Sequence, residues 1–433
     1  MRNRFFIYVF LLFGAHLAAA QQDGKLTVRP YGFVRSYLNI DSRENYTVVG
    51  GEYNMLPLDQ RWNEDHSEDL NAIPQVQLQA FTSRFGLTAG GLTLAGHDVT
   101  ARLEADFGGF GTQSAILRLR LAYINFQKQE GTVLRQLLIG QDWHPMTGGV
   151  MPEVLGMAAG APFRPHSRTP QVRASVNLEH WGATAALLYQ NQYVSNGPLS
   201  AYDPTSTASR KYADQALFPE VFLGLHYRNS GLYLQLGCDY QLLHPRTTAL
   251  IDNVTRRVDE TVVSFSPTLY AKYETGLWSF KTRLLLAQNT SHLNQPIGYA
   301  VTGITPDSTW CYRPLQAAVG YLNITYGSTW RANLFMGAMK NLGAQADLYN
   351  FGTDSAPIYL IYAKGGENFT NLNGIYRVAP SISYNVSHFA VGIEYECTAA
   401  SYGTLKPDGS IAHDDQLRSV VNHRICTMVK YSF

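Results

Sequence analysis

The chain has 433 residues with 34 Lys and Arg against 33 Asp and Glu, a formal charge of +1, and only 15% charged residues. A soluble globular protein carries roughly 25%, so the composition argues against a soluble helical fold, and the near-zero balance offers no footing for a nucleic-acid partner. With 27 Tyr, 20 Phe and 37 Gly, it suits strands that face water on one side and something apolar on the other.

Residues 1–20 read as an export signal. Arg2 and Arg4 precede the apolar run Phe5–Phe13, and Ala18-Ala19-Ala20 stands directly before the polar Gln21-Gln22. Cleavage after Ala20 removes two positive charges, leaves a mature chain over 21–433 and puts Gln at its start, so no lipoprotein anchor is implied. After residue 20 no apolar stretch is long enough for a spanning helix. Cys238, Cys311, Cys397 and Cys426 are widely separated. No CxxC or other local metal-ligand spacing occurs, so neither a metal nor a cofactor is expected.

The mature chain lacks helical periodicity and alternates with period two along its length. Segments are predicted at 26–38, 76–89, 97–107, 114–127, 133–142, 171–179, 183–193, 217–228, 232–243, 260–273, 278–289, 313–326, 330–340, 371–385, 389–399 and 417–433. In 389–397, Phe389, Val391, Ile393 and Tyr395 oppose Ala390, Gly392, Glu394 and Glu396. The stretch 314–326 is ambiguous in phase, as at a bulge. Alternation alone suits a soluble sandwich or a membrane barrel equally, because the pattern is the same and only its direction in space is inverted.

Three features favour the barrel. Connections after even-numbered segments are tight, such as Asn229-Ser230-Gly231 and Val386-Ser387-His388, whereas those after odd-numbered ones are mostly long and polar: 39–75, 143–170, 194–216, 290–312, 341–370 and 400–416. The exception is the short link near Gly108–Gly111. Aromatics gather at strand ends (Tyr189, Tyr227, Tyr273, Trp278, Tyr326, Trp330, Tyr395), as girdles at two lipid–water boundaries do. The chain stops on an alternating strand with Ile425, Thr427, Val429, Tyr431 and Phe433 on one face. The expected fold is therefore all-β: a transmembrane antiparallel β-barrel of about 16 strands, with short periplasmic turns and long extracellular loops. Hydrocarbon offers no hydrogen-bond partner, so such a sheet must close.

If apolar side chains face lipid, their neighbours line the interior. The candidates are Arg35, Arg84, Arg102, Glu104, Asp106, Arg118, Arg120 and Arg173, with Lys281, Arg283, Arg331 and Arg377 further round. In Leu117-Arg118-Leu119-Arg120-Leu121 both arginines should point inward, because Arg at mid-depth on the lipid face costs roughly 2–4 kcal/mol. These charges either brace and hydrate the wall or form a basic field for small anions or zwitterions. Loop 143–170 contains five prolines, which argue against loose coil. It is expected to fold into the lumen and narrow it, presenting His144, Arg164, His166 and Arg168.

The leader, Ser83-Arg84-Phe85-Gly86-Leu87, Leu103-Glu104-Ala105-Asp106-Phe107 and the terminal Phe433 together resemble the general porins of Gram-negative outer membranes. Gly140-Gln141-Asp142-Trp143-His144-Pro145-Met146, Gly160-Ala161-Pro162-Phe163-Arg164-Pro165 and Pro170-Gln171 are more specifically similar to porin-like barrels of the Bacteroidetes. The resemblance implies an outer-membrane location and passive diffusion of small hydrophilic solutes and ions, with the loop after strand five as constriction. Its implied partners are outer-membrane lipids, the barrel-assembly machinery acting on Phe433, and two further copies in a homotrimer. The loop departs from the general-porin pattern in lacking an acidic cluster, so cation preference does not carry over. A substrate-selective channel for anionic or sugar solutes and a non-conducting structural or adhesion barrel remain open. No GxSxG, HExxH or Walker loop is present, and His423 is isolated, so an enzyme is not expected. A transporter with a plug domain would need more strands.

Overall fold

The computed structural model describes residues 22–51, 53–109, 116–147, 151–156, 160–200, 203–365 and 369–433. The expected export signal at 1–20 lies outside them, as does part of the link near Gly108–Gly111. The described residues form a closed antiparallel β-barrel of 16 strands. In chain order these are β1 Gln22–Asp41, β2 Gln75–Gln79 continued by Arg84–Leu94, β3 His97–Asp106, β4 Arg118–Glu130, β5 Val133–Trp143, β6 Arg168–Asn177, β7 Trp181–Leu188 and β8 Glu220–Asn229. The second half comprises β9 Leu232–Leu243, β10 Val262–Thr275, β11 Trp278–Gln288, β12 Gln316–Gly327, β13 Trp330–Gly343, β14 Leu372–Val386, β15 Phe389–Tyr402 and β16 Arg418–Ser432.

Each strand pairs with its sequence neighbours, and β1 closes the ring on β16, from Phe33 opposite Ser432 to Asp41 opposite Arg424. Closure leaves no sheet edge with unpaired N–H and C=O groups. The terminal residue takes part, because Gly32 and Phe433 exchange backbone hydrogen bonds of 3.0 Å. The ambiguous phase near 314 corresponds to a register shift between Gln316 and Ala317 against β13. β2 is interrupted at 80–83, where Ser83 Oγ accepts from the Arg35 N–H at 3.0 Å.

Side-chain direction follows the alternation. On β15, Phe389, Val391, Ile393 and Tyr395 are exposed, while Glu394 and Glu396 are buried. On β9, Leu234 and Leu236 point out and Asp239 and Gln241 point in. An apolar exterior around a polar interior is stable only where the surroundings are hydrocarbon, since water would drive the same residues to the centre. Aromatic pairs mark the short-turn rim: Trp181–Tyr227, Trp278–Tyr326 and Trp330–Tyr384 have ring centroids 4.9, 4.6 and 4.9 Å apart. Their amphipathic rings suit the boundary between acyl chains and water.

Candidate functional site: the barrel lumen

The inner face mixes charged and polar side chains with an apolar patch that includes Phe222, Leu285, Val319, Phe335 and Met339, and the contents of the lumen decide what passes. Among the described residues, three long-loop segments within it matter most here. The first is the hairpin Asn45–Val48 and Tyr53–Pro57, whose second strand is wholly buried. The second is the segment between β5 and β6. The third is 289–301, with a one-turn 3-10 helix at Ser291–Leu293.

The β5–β6 segment leaves one wall and is held by the opposite one. Arg283 of β11 donates to the carbonyls of Met146 and Thr147. Lys281 donates to Met151 O at 3.1 Å and pairs with Glu153 at 2.9 Å, and Arg331 of β13 pairs with the same carboxylate at 2.9 Å. Glu394 of β15 accepts from Leu155 N and Gly156 N at 2.8 and 3.1 Å. Phe163 then lies flat on β13, where a Cβ on Gly337 would sit 2.4 Å from its ring. Only glycine permits that approach.

The three segments also lock together. Arg377 of β14 donates to Ala161 O at 3.0 Å, Asn54 O at 2.9 Å and Met55 O at 3.1 Å, tying the hairpin and the β5–β6 segment to one guanidinium. Gln295 donates to Pro162 O at 2.8 Å, His166 N to Leu293 O at 2.8 Å, and Tyr53 Oη meets His166 Nε2 at 3.1 Å. Arg164 stacks its charge beside His166, with Nη2 2.7 Å from Nδ1. Burial, with Arg164 and Arg168 nearby, holds the His166 imidazole well below its ordinary range.

The predicted wall residues divide. Arg84, Arg102, Glu104, Asp106, Arg118 and Arg120 form one network on β2–β4. Arg118 clasps Asp106 through two bonds of 2.9 and 2.8 Å. Arg120 bridges Glu104 at 2.7 Å and Asp106 at 2.6 Å, while Arg84 and Arg102 each lie 3.4 Å from Glu104. Both acids and Arg120 are at most 2% exposed. Arg35, on the neighbouring β1, is half-buried, stacks on Phe33 and Tyr37 and faces Lys430 across the closing seam. Arg168 is fully buried with its guanidinium 4.9 Å over Trp143, and its Nε donates to Gln192 at 2.8 Å.

Arg173 stands apart, paired with Asp142 at 2.6 Å. It lines two contiguous polar recesses of about 300 and 180 Å³, walled by inner residues of β3–β9 that include Tyr123, Asn125, Gln136, Ser175 and Gln235. His144 is also separate, turned against the wall beneath Pro145, where Nε2 lies 2.8 Å from Glu220 Oε1. Sequence reading treated 39–75 and 290–312 simply as long polar connections. The apolar run Tyr53-Asn54-Met55-Leu56-Pro57 in the first was the one local sign of an inward course.

No family model matches the sequence, and no curated protein matches it. Among solved structures, the outer-membrane expressed OmpT of Vibrio cholerae is similar at TM-score 0.50 and 10% identity, covering 96% of this chain and all of that one. The in-vitro folded form of the same Vibrio cholerae protein gives TM-score 0.50 and 11% identity over 94% of this chain and 98% of that one. A Salmonella typhi OmpF in complex with daunomycin gives 0.48 and 10% over 94% and 97%. At such identity the first two likenesses establish the barrel fold and nothing finer.

Proposed function

We propose that this chain is an outer-membrane porin, a channel through which small hydrophilic solutes and ions diffuse without covalent chemistry. One observation carries the reading: a closed apolar-outside barrel encloses an interior lined by many charged and polar side chains, crossed by a segment held from the opposite side by Arg283, Lys281, Arg331 and Arg377. Residues 143–170 act as the constriction. The solute path runs past Arg35, Arg84, Arg102 and Arg173, whereas Glu104, Asp106, Arg118 and Arg120 brace the wall. The chain is exported by residues 1–20 and assembles as a homotrimer in the outer membrane of a Gram-negative bacterium.

A second reading, a selective channel for small anionic solutes, is favoured by the surplus of cations over acids on β1–β4 and β16. Planar-bilayer recording of the purified protein tests both. Stable conductance with weak selectivity supports the porin, and saturable block by an anionic solute supports the selective channel. A silent bilayer with correctly folded protein refutes transport altogether. Deleting 148–160 is expected to raise conductance; an unchanged pore would place the constriction elsewhere.

A further inference from the structure

Beneath the start of the inward segment, four side chains from distant parts of the chain converge. Glu220 opens β8 and Asp239 lies on the adjacent β9; Val221 stands opposite Tyr240 in register, so both carboxylates project from the inner face of neighbouring strands. His144 reaches them from the segment after β5, and His292 from the Ser291–Leu293 turn. One potential ligand atom from each lies within 4.8 Å of all the others. His144 Nε2 and His292 Nε2 are 2.8 and 3.0 Å from Glu220 Oε1, and His144 Nε2 is 3.8 Å from Asp239 Oδ1. All four are at most 5% exposed.

We propose that His144, Glu220, Asp239 and His292 bind one divalent transition-metal ion of the zinc type, which pins the inward segment and the 289–301 segment to the barrel wall. The charge balance points this way. Two neighbouring buried carboxylates need compensating positive charge or a shared proton, and a dication neutralises them. Glu220 Oε2 and Asp239 Oδ1 accept no hydrogen bond from an N–H or hydroxyl donor among the described residues, which leaves lone pairs free for an ion. Two imidazoles with two carboxylates match zinc better than calcium or magnesium, which take oxygen ligands alone. Bonds near 2.1 Å in a tetrahedron set ligand atoms about 3.4 Å apart, so small side-chain shifts complete the shell.

Surrounding groups can orient the rings. Gln241 Nε2 lies 3.0 Å from His292 Nδ1, and Gln241 Oε1 accepts from Asn289 at 2.9 Å. Coordination through Nε2 moves each imidazole proton to Nδ1. For His292 a half-turn of the Gln241 amide supplies the acceptor, and a matching half-turn of Asn289 lets its Oδ1, otherwise unpartnered among the described residues, accept from Gln241 Nε2. For His144 the change forfeits the bond from Met146 N, 3.1 Å from Nδ1. His144 also borders the 300 Å³ recess.

The test uses the untagged full chain, folded in detergent without chelator. Elemental analysis after dialysis is expected to find about one equivalent of metal, and stripped protein is expected to take up one Zn²⁺ in competition with a chelating dye. Asp239→Asn and Glu220→Gln, which keep shape and lose charge, should each weaken uptake at least about tenfold. Chelator should lower the thermal midpoint of the wild type and leave that of Asp239→Asn unmoved. Gel mobility of the folded barrel controls for misfolding. Failure of the folded wild type to retain or bind an equivalent at micromolar Zn²⁺ overturns the proposal and leaves the carboxylates sharing a proton. Uptake equal in wild type and both variants overturns it too, assigning the metal to surface histidines. Neither result bears on conductance, so the transport reading is judged separately.

Discussion

Arg120 is the keystone of the wall network, and replacing it with methionine keeps most of its length while removing its charge. Its guanidinium spans Glu104 and Asp106 at 2.7 and 2.6 Å, and all three side chains are at most 2% exposed. Each such pair, with charge centres about 4 Å apart at an effective dielectric near 20, attracts by roughly 4 kcal/mol before desolvation is subtracted. Removing one partner of a buried pair costs about 3–5 kcal/mol, because the other charge stays behind. Glu104 would keep Arg84 and Arg102, and Asp106 would keep Arg118, so the lower end, about 3 kcal/mol, is expected. Adding Glu104→Gln to Arg120→Met should destabilise further, because Arg84 and Arg102 then lose the carboxylate they share. Urea-dependent unfolding in detergent micelles, followed by the fluorescence of the six tryptophans and by gel mobility, measures both. If Arg120→Met lies within about 1 kcal/mol of wild type, a range typical of exposed pairs, the network is not holding the wall. If the second substitution costs nothing further, unpaired charge is the wrong cause.

Arg102→Glu alters a partly exposed cation on the proposed solute path and should move the reversal potential toward cations; an unmoved potential would place the path elsewhere. Arg377→Met releases three carbonyls from two inward segments. Single-channel conductance should rise while the barrel stays folded, and an unchanged value would mean the remaining contacts suffice. His166, held below its ordinary range by burial, stays neutral in the folded barrel while the unfolded chain takes up a proton near pH 6.5. Stability should therefore fall as pH drops from about 6.5 to 5, by up to about 1.4 kcal/mol per unit, and His166→Gln should flatten that slope. Equal slopes in the two proteins would refute the assignment.

How far the molecule could be read from its sequence depended on the range of the interaction concerned. Strand alternation is a property of the extended backbone itself, so the segments, their even number, the inward sense of Arg118 and Arg120 and the outward sense of Leu117 and Leu119 follow from residues two apart. The turn pattern is local in the same way. What the interior holds is not local. Arg377 meets Ala161 from 216 positions away and Asn54 from 323, and Glu394 caps the N–H groups of Leu155 and Gly156 from more than two hundred.

Beyond the apolar run Tyr53–Pro57, nothing in the hairpin 45–57 or in Ser291-His292-Leu293 distinguishes an inward course from an outer one until the opposite wall supplies the donors and acceptors that make burial tolerable. The division of the arginines follows the same rule. Glu104 and Asp106 stand two apart on one strand, yet which guanidinium each receives depends on the β2–β3 and β3–β4 registers. His144, Glu220, Asp239 and His292 carry no spacing motif because barrel closure and loop insertion bring them together. By itself the sequence determined an inside-out barrel, since backbone periodicity and the cost of burying charge in lipid act residue by residue. The tertiary structure alone decided what fills the lumen, since each buried polar group there depends on a partner that only the closed ring brings within reach.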